Sequence, residues 1–184
     1  MAASDYSSVT KTATVTVDTT NTTSTAITTT PPAINTFSAS QNSIMLGDNI
    51  IEGNIQKAVE DFKSQRSGAK ILLREVDNPK EYGIAQIKNG KIIKIEEKPK
   101  RPKSNYAVIG IYMYDNQVFD IIRQLKPSAR GELEITDVNN AYLGRKQLSF
   151  DKFKLWWTDC GTFASLLKAN NLVARFARDK KCTF

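Results

Sequence analysis

Apolar and polar positions divide the chain into two unlike parts. From residue 44 onward the pattern is that of a folded domain. "IMLGDNI", Ile44 to Ile50, opens on an unbroken apolar run that stops at Gly47 and an acid. A run without polar alternation suits a strand buried on both faces, as in a parallel sheet. In "NIQKAVEDFKSQRS" the residues Ile55, Ala58, Val59 and Phe62 recur at helical spacing, and Gly68 ends the helix. "KILLREV" reads as a short strand. "YGIAQIKNGKIIKIEEKP" reads as a hairpin turning at Asn89-Gly90, where positive φ is needed. "YAVIGIYMYD" is a further strand, with Asp115 placed to cap a helix over "NQVFDIIRQL". A helix over "EITDVNNAYL", strands over "KQLSFDKF" and "KLWWTD", and a closing helix over "TFASLLKANNLVA" complete the pass. Strands alternating with helices, plus one hairpin, predict an α/β domain with a mixed, mostly parallel sheet flanked by helices.

Residues 1–43 differ in kind. Thr and Ser make up nearly half of them, the only charged residues are Asp5, Lys11 and Asp18, and Pro31-Pro32 blocks both helix and central strand. Such a segment buries too little to offset its ordering entropy, so a disordered or weakly extended leader is expected there. The globular part is expected over residues 44–174, with a basic tail at 175–184.

Composition narrows the chemistry. The 184 residues are 40% apolar and 24% charged, an ordinary soluble balance, and no apolar run reaches the length of a membrane span. No secretory signal opens the chain, so a cytoplasmic protein is expected. Histidine is absent, which removes Ser-His and Cys-His nucleophiles and His metal sites together. A metal would need oxygen ligands, favouring magnesium or calcium over zinc. Cys160 and Cys182 have neither disulfide-framework nor metal spacing. The net charge of +7 is scattered rather than striped, so neither nucleic acid nor a membrane is expected as a partner.

Candidate chemistry sits at strand ends. Asp48 lies just past an apolar strand, and Asp159 in "WWTDCGT" repeats the arrangement. Two such carboxylates can share a divalent cation, which relieves their repulsion. Asp159 can equally be a plain helix cap. Glu97 and Lys98 in "EEKPKRPKSNY" can grip a hydroxyl and a phosphate, or form a solvated hairpin end. Arg130 before Gly131 is either an anion clamp or a loop residue, and Tyr82-Gly83 either a ligand approach or a strand start.

In this order, "LGDN", "EYGIAQI", "EEKPKRPKSNYAVIGIYMYD", "LKPSARGELEITDVNNAYL" and "WWTDCGT" closely resemble the glucose-1-phosphate thymidylyltransferases, sugar nucleotidyltransferases that make dTDP-glucose from dTTP and glucose 1-phosphate. The resemblance covers roughly Ile44 to Ala174 and implies a partial Rossmann-like nucleotidyltransferase fold. It implies that Asp48 and Asp159 bind Mg2+, and that Tyr82, Gly83, Glu97, Val108 and Tyr112 line a glucose pocket. Lys98 and Arg130 match basic residues that meet the sugar phosphate, so Asp48, Lys98 and Arg130 are the implied catalytic set. Family members are oligomers, which leaves a homo-oligomer open. The family also places a glycine-rich GGxGTRL loop before the LGDN motif, whereas residues 1–43 here contain no glycine and no arginine. The chain is therefore expected to keep the sugar half, lack the nucleotide half, and be weak or inactive by itself, or to serve as a non-catalytic sugar-phosphate-binding or subunit-assembly remnant.

Overall fold

The computed structural model describes residues 41–65 and 67–179. The elements in chain order are β1 (Gln41–Met45), β2 (Asn49–Ile51), α1 (Gln56–Lys63), β3 (Ala69–Glu75), a 3-10 turn (Pro79–Glu81), β4 (Gly83–Lys88), β5 (Lys91–Glu97), β6 (Tyr106–Asp115), α2 (Gln117–Gln124), α3 (Ile135–Gly144), β7 (Leu148–Lys152), β8 (Trp157–Asp159) and α4 (Phe163–Asp179). The leader expected at the start falls outside the described residues, except for its last three positions. Gln41, Asn42 and Ser43 are already in β1, paired with Asp115, Tyr114 and Met113. Backbone pairing recruits them despite their polar side chains, so the fold begins before the predicted boundary at Ile44.

The ten-residue strand β6 organises everything else. Its residues are apolar at nearly every position because both faces are covered. Val108, Tyr112 and Tyr114 point into one core with Ile71, Leu73, Ile95, Val118, Ile121, Val138 and Tyr142, so α2 and α3 close that face. Ile109, Ile111 and Met113 point the other way, onto Ala58 and Phe62 of α1 together with Leu72. Full burial of a side chain such as Phe62, 1% exposed, contributes about 2–3 kcal/mol.

The main sheet runs β5-β4-β6-β3-β7, with β1 also on β6, and β2 and β8 form a separate two-stranded ribbon. Among the described pairings only β3–β7 is parallel; β1–β6, β3–β6, β4–β5, β4–β6 and β2–β8 are antiparallel. The mostly parallel sheet expected from the sequence is thus corrected to a mostly antiparallel one within the same mixed α/β class. "IMLGDNI" is likewise two strands and a turn, not one doubly buried strand: β1 stops at Met45 and Leu46 is 38% exposed. An apolar run records burial on two faces, not the direction of the neighbour that provides it.

Local predictions otherwise hold. Asn89 and Gly90 take φ of 50° and 72° at the β4–β5 turn, the pair of positive values a two-residue hairpin requires. Gly68 takes φ of 106° after α1. Asp115 accepts the Gln117 N–H at 3.0 Å, holding the start of α2. The same carboxylate accepts the Gly68 N–H at 2.6 Å and the Tyr142 hydroxyl at 2.7 Å, which ties β6, the α1–β3 turn and α3 at one buried point.

One side of β6 is shared by two strands. β1 pairs with Ile111–Asp115 and β4 pairs with Tyr106 and Ala107, both antiparallel and nearly end to end. Between them the chains diverge from β6, and a cleft opens there.

Candidate functional site

The cleft is lined by Leu46, Asp48 and Asn49, by Glu81, Tyr82 and Gly83, by Glu97, by Val108, Gly110 and Tyr112, by Ile135 and Thr136, and by Trp157 and Asp159. Its volume is about 140 Å³, below the roughly 300–1,000 Å³ usual for small-molecule sites, and it is open to solvent on one side. Seven residues singled out from sequence therefore meet in one place: Asp48, Tyr82, Gly83, Glu97, Val108, Tyr112 and Asp159.

The acids arrive on the β2–β8 ribbon. Asn49 pairs with Asp159 across that ladder, and the Cys160 N–H donates to the Asp48 carbonyl at 2.7 Å. Burial, then the charge of Asp48, raise Asp159 above its ordinary carboxylate value. Asp159 is not the cap of α4. That role falls to Thr162, whose Oγ1 accepts the Ser165 N–H at 3.1 Å and leaves Asp159 to face the cleft. The Cys160 thiol is pushed up by burial and by the same two acids, which opposes thiolate formation.

Tyr82 and Trp157 form an aromatic wall, rings 5.4 Å apart and edge to face at 66°. Burial, the charges of Asp159 and Glu81, and a hydrogen bond to Asp159 push the Tyr82 hydroxyl up to about 12, so it stays a donor at neutral pH. Tyr112, 5% exposed, is also raised, first by burial and then by Glu97 and Asp48. An amphipathic wall beside fixed carboxylates suits a ligand that is part apolar ring face and part hydroxyl.

Glu97 is held in place by Thr136, whose hydroxyl donates to Oε2 at 2.6 Å. Gly83 makes that approach possible: a Cβ there would stand 2.9 Å from Thr136 Oγ1 and 3.2 Å from Glu97 Oε2. Arg130 does not line the cleft but reaches its rim, 3.7 Å from Glu97, 2.9 Å from Glu132 and 3.3 Å from Glu134. Lys98 is exposed and outside the lining. Its backbone has φ of 40° and donates its N–H to the Tyr82 carbonyl at 3.0 Å, so β5 ends by clasping the strand that carries Tyr82 and Gly83. A left-handed lysine is uncommon enough to mark a constrained site.

Sequence reasoning passed over Asn49, Glu81, Gly110, Thr136 and Trp157. Asn49 stood beside Asp48 in the LGDN motif and Trp157 two residues before Asp159, so proximity to the acids was the available signal. Thr136 carried none, because its partner Glu97 is 39 positions away. Gly110 packs against the Asn49 amide, where a Cβ would stand 2.8 Å from Cγ. Gly110→Ala is expected to cost about 2 kcal/mol, since a buried amide must move and a hydrogen bond is distorted. Urea titration would check it; an unchanged midpoint would contradict the packing.

Among the described residues, no three of His, Cys, Asp and Glu are gathered so as to hold a metal ion. No helix there is long and apolar enough to cross a membrane.

Known proteins resemble this chain in sequence and in fold. A glucose-1-phosphate thymidylyltransferase of Mycolicibacterium smegmatis is 48% identical over 134 residues, 71% of this chain and 46% of that protein. The corresponding enzyme of Mycobacterium tuberculosis is 43% identical over 148 residues, 78% of this chain and 51% of its own. A crystal structure described as a glucose-1-phosphate thymidylyltransferase from Bacillus anthracis, in complex with a sucrose, superposes with a TM-score of 0.68 at 56% identity, covering 72% of this chain and 54% of that one. UDP-glucose pyrophosphorylase shares the fold, at 24% identity and a TM-score of 0.66. The chain spans about half the length of the curated relatives it matches. The sequence profile of the nucleotidyl transferases matches residues 4–175, and the chain belongs to that family.

Proposed function

We propose that the cleft receives glucose 1-phosphate and that the chain carries the sugar side of thymidylyl transfer, dTTP plus glucose 1-phosphate giving dTDP-glucose and pyrophosphate. The observation that carries this reading is the meeting of Asp48 and Asp159 with Tyr82, Gly83, Glu97, Val108 and Tyr112 in one cleft. In the reaction an oxygen of the sugar phosphate attacks the nucleotide α-phosphorus in line, and the bond to the pyrophosphate oxygen breaks. Little covalent work falls to the protein; orientation and charge neutralisation do most of it.

The roles divide by side-chain chemistry. Glu97, steadied by Thr136, accepts hydrogen bonds from sugar hydroxyls, and the Tyr82–Trp157 wall packs against the ring. The backbone at Gly83 comes close because no Cβ intervenes. Lys98 and Arg130 flank Glu97 and supply positive charge toward the phosphate from outside the lining.

The donor set fits magnesium. Two carboxylates held close enough for one to raise the other want a cation, and magnesium is commonly bound by one or two carboxylates with waters and substrate phosphates completing its shell. Asp48 and Asp159 would hold it, and it would neutralise phosphate charge during transfer.

The nucleotide side is a different matter for the 184-residue polypeptide. Residues 1–43 have no glycine, no arginine and one lysine, Lys11. Backbone N–H groups cradle phosphates where no Cβ obstructs them, and a glycine-free segment is poorly suited to that. A second reading is a sugar-phosphate-binding module in which residues 1–43 do not supply a cradle for the triphosphate. Calorimetry is expected to give saturable heat with glucose 1-phosphate plus magnesium and none with glucose alone. A pyrophosphate-release assay with dTTP is expected to stay at background. Robust release would overturn the second reading; absence of heat would overturn both.

A further inference from the structure

We propose that Asn49 is a positioning residue of the cleft, holding Asp48, Trp157 and the floor of β6 in register with one another. For its effect on ligand affinity this rests on the sugar-phosphate reading above. Asn49 is 7% exposed and stands on β2, opposite Asp159. Its Oδ1 accepts two N–H groups, from the Gly110 backbone at 3.0 Å and from the Trp157 indole at 2.6 Å. Its Nδ2 donates to Asp48 Oδ1 at 2.8 Å. One side chain therefore joins the central sheet, the aromatic wall and an acid.

The position of Gly110 explains why the bridge is needed. β1 leaves β6 after Ile111 and β4 joins it only at Ala107, so on that edge, the one opposite β3, the intervening stretch lacks a paired strand. The Gly110 carbonyl accepts the Leu46 N–H at 2.8 Å, and its own N–H, on the same edge, is taken by Asn49. The amide thus replaces a missing ladder partner, and a buried N–H left alone would be costly. Only a short side chain with both acceptor and donor serves. Aspartate cannot donate to Asp48 and sets like charges together, and leucine does neither. The donation to Oδ1 occupies one carboxylate oxygen of Asp48 and leaves the other for a cation. The indole bond sets the tilt of Trp157 against Tyr82.

The test is a double-mutant cycle read by two measurements. Asn49→Ala, Trp157→Phe and the double variant are titrated with glucose 1-phosphate in magnesium, and each single substitution is expected to weaken binding about tenfold. Because the two residues act through one contact, the double variant should be no more than about threefold weaker than the weaker single. Losses that multiply to about a hundredfold would overturn the coupling. Independently of any ligand, the indole resonance of Trp157, assigned by its disappearance in Trp157→Phe, and the amide resonance of Gly110 should both shift in Asn49→Ala. Unmoved resonances would refute the bridge. If the parent fails to bind glucose 1-phosphate, the sugar-phosphate reading falls while the resonances still decide the role of Asn49. If Asn49→Ala does not fold, Trp157→Phe decides: undiminished affinity overturns the proposal, and a tenfold loss without a lower Tm supports it.

Discussion

Replacing either Asp48 or Asp159 with asparagine is expected to abolish the magnesium dependence of glucose 1-phosphate binding and to weaken binding in magnesium by at least about tenfold, roughly 1.4 kcal/mol. Each substitution removes one of the two carboxylates proposed to hold the cation, and among the described residues no three acidic, His or Cys side chains are gathered so as to hold it instead. Asp159→Asn carries a second, opposite signature. Asp159 is half-buried beside the charge of Asp48, so in chelator the neutral amide removes a repulsion and Tm should rise by a few degrees. A variant more stable yet unable to respond to magnesium is the pattern of a functional acid held at the expense of stability. Calorimetry with and without magnesium, paired with melting curves in chelator, reads both effects. A lower Tm together with intact magnesium dependence would make Asp159 a structural residue.

Asp115→Ala is expected to destabilise the fold by about 4 kcal/mol, a large share of the roughly 5–15 kcal/mol a domain of this kind possesses. The buried carboxylate accepts the Gly68 N–H, the Gln117 N–H and side chain, and the Tyr142 hydroxyl. Removing it strands several donors at once. The same group governs acid sensitivity. Burial pulls its pKa upward, but the hydrogen bonds outweigh burial and hold it below the ordinary carboxylate value. A depressed folded pKa means the carboxylate stabilises fully above its unfolded pKa, near 3.9, and loses that contribution as pH falls through the folded value. Urea midpoints of the parent should therefore fall steeply below about pH 4, while Asp115→Asn should show a shallower decline from a lower start. Parallel pH profiles for the two would remove Asp115 from this role.

How much of this was legible in sequence depended on the range of the interaction. The β4–β5 hairpin was readable because Asn89 and Gly90 encode positive φ locally, and α1 because Ile55, Val59 and Phe62 repeat at the helical period. The cleft was readable in part, since Asp48 and Asp159 each follow a strand and the surrounding motifs resemble a family closely. Strand direction was not readable. β6 would present the same apolar string to a parallel or an antiparallel neighbour, and only long-range register shows that β1 and β4 both run against it. Thr136 escaped notice for a related reason, as a threonine on an ordinary helix gains meaning only when α3 is laid beside Glu97. Asn49 was adjacent to a noticed residue, yet its three partners lie on β6, on β8 and in the preceding turn.

The end-to-end seating of β1 and β4 along β6 turns strand length into a ruler. The gap between their ends is spanned by Val108, Ile109 and Gly110, so those residues set how wide the cleft stands. Deleting one of them would do more than narrow it. Side chains alternate with a period of two, so every residue beyond the deletion would change face, sending Tyr112 and Tyr114 toward α1 and Ile111 and Met113 toward α3. In this fold the dimensions of the binding gap and the identity of both cores are written into the same three positions.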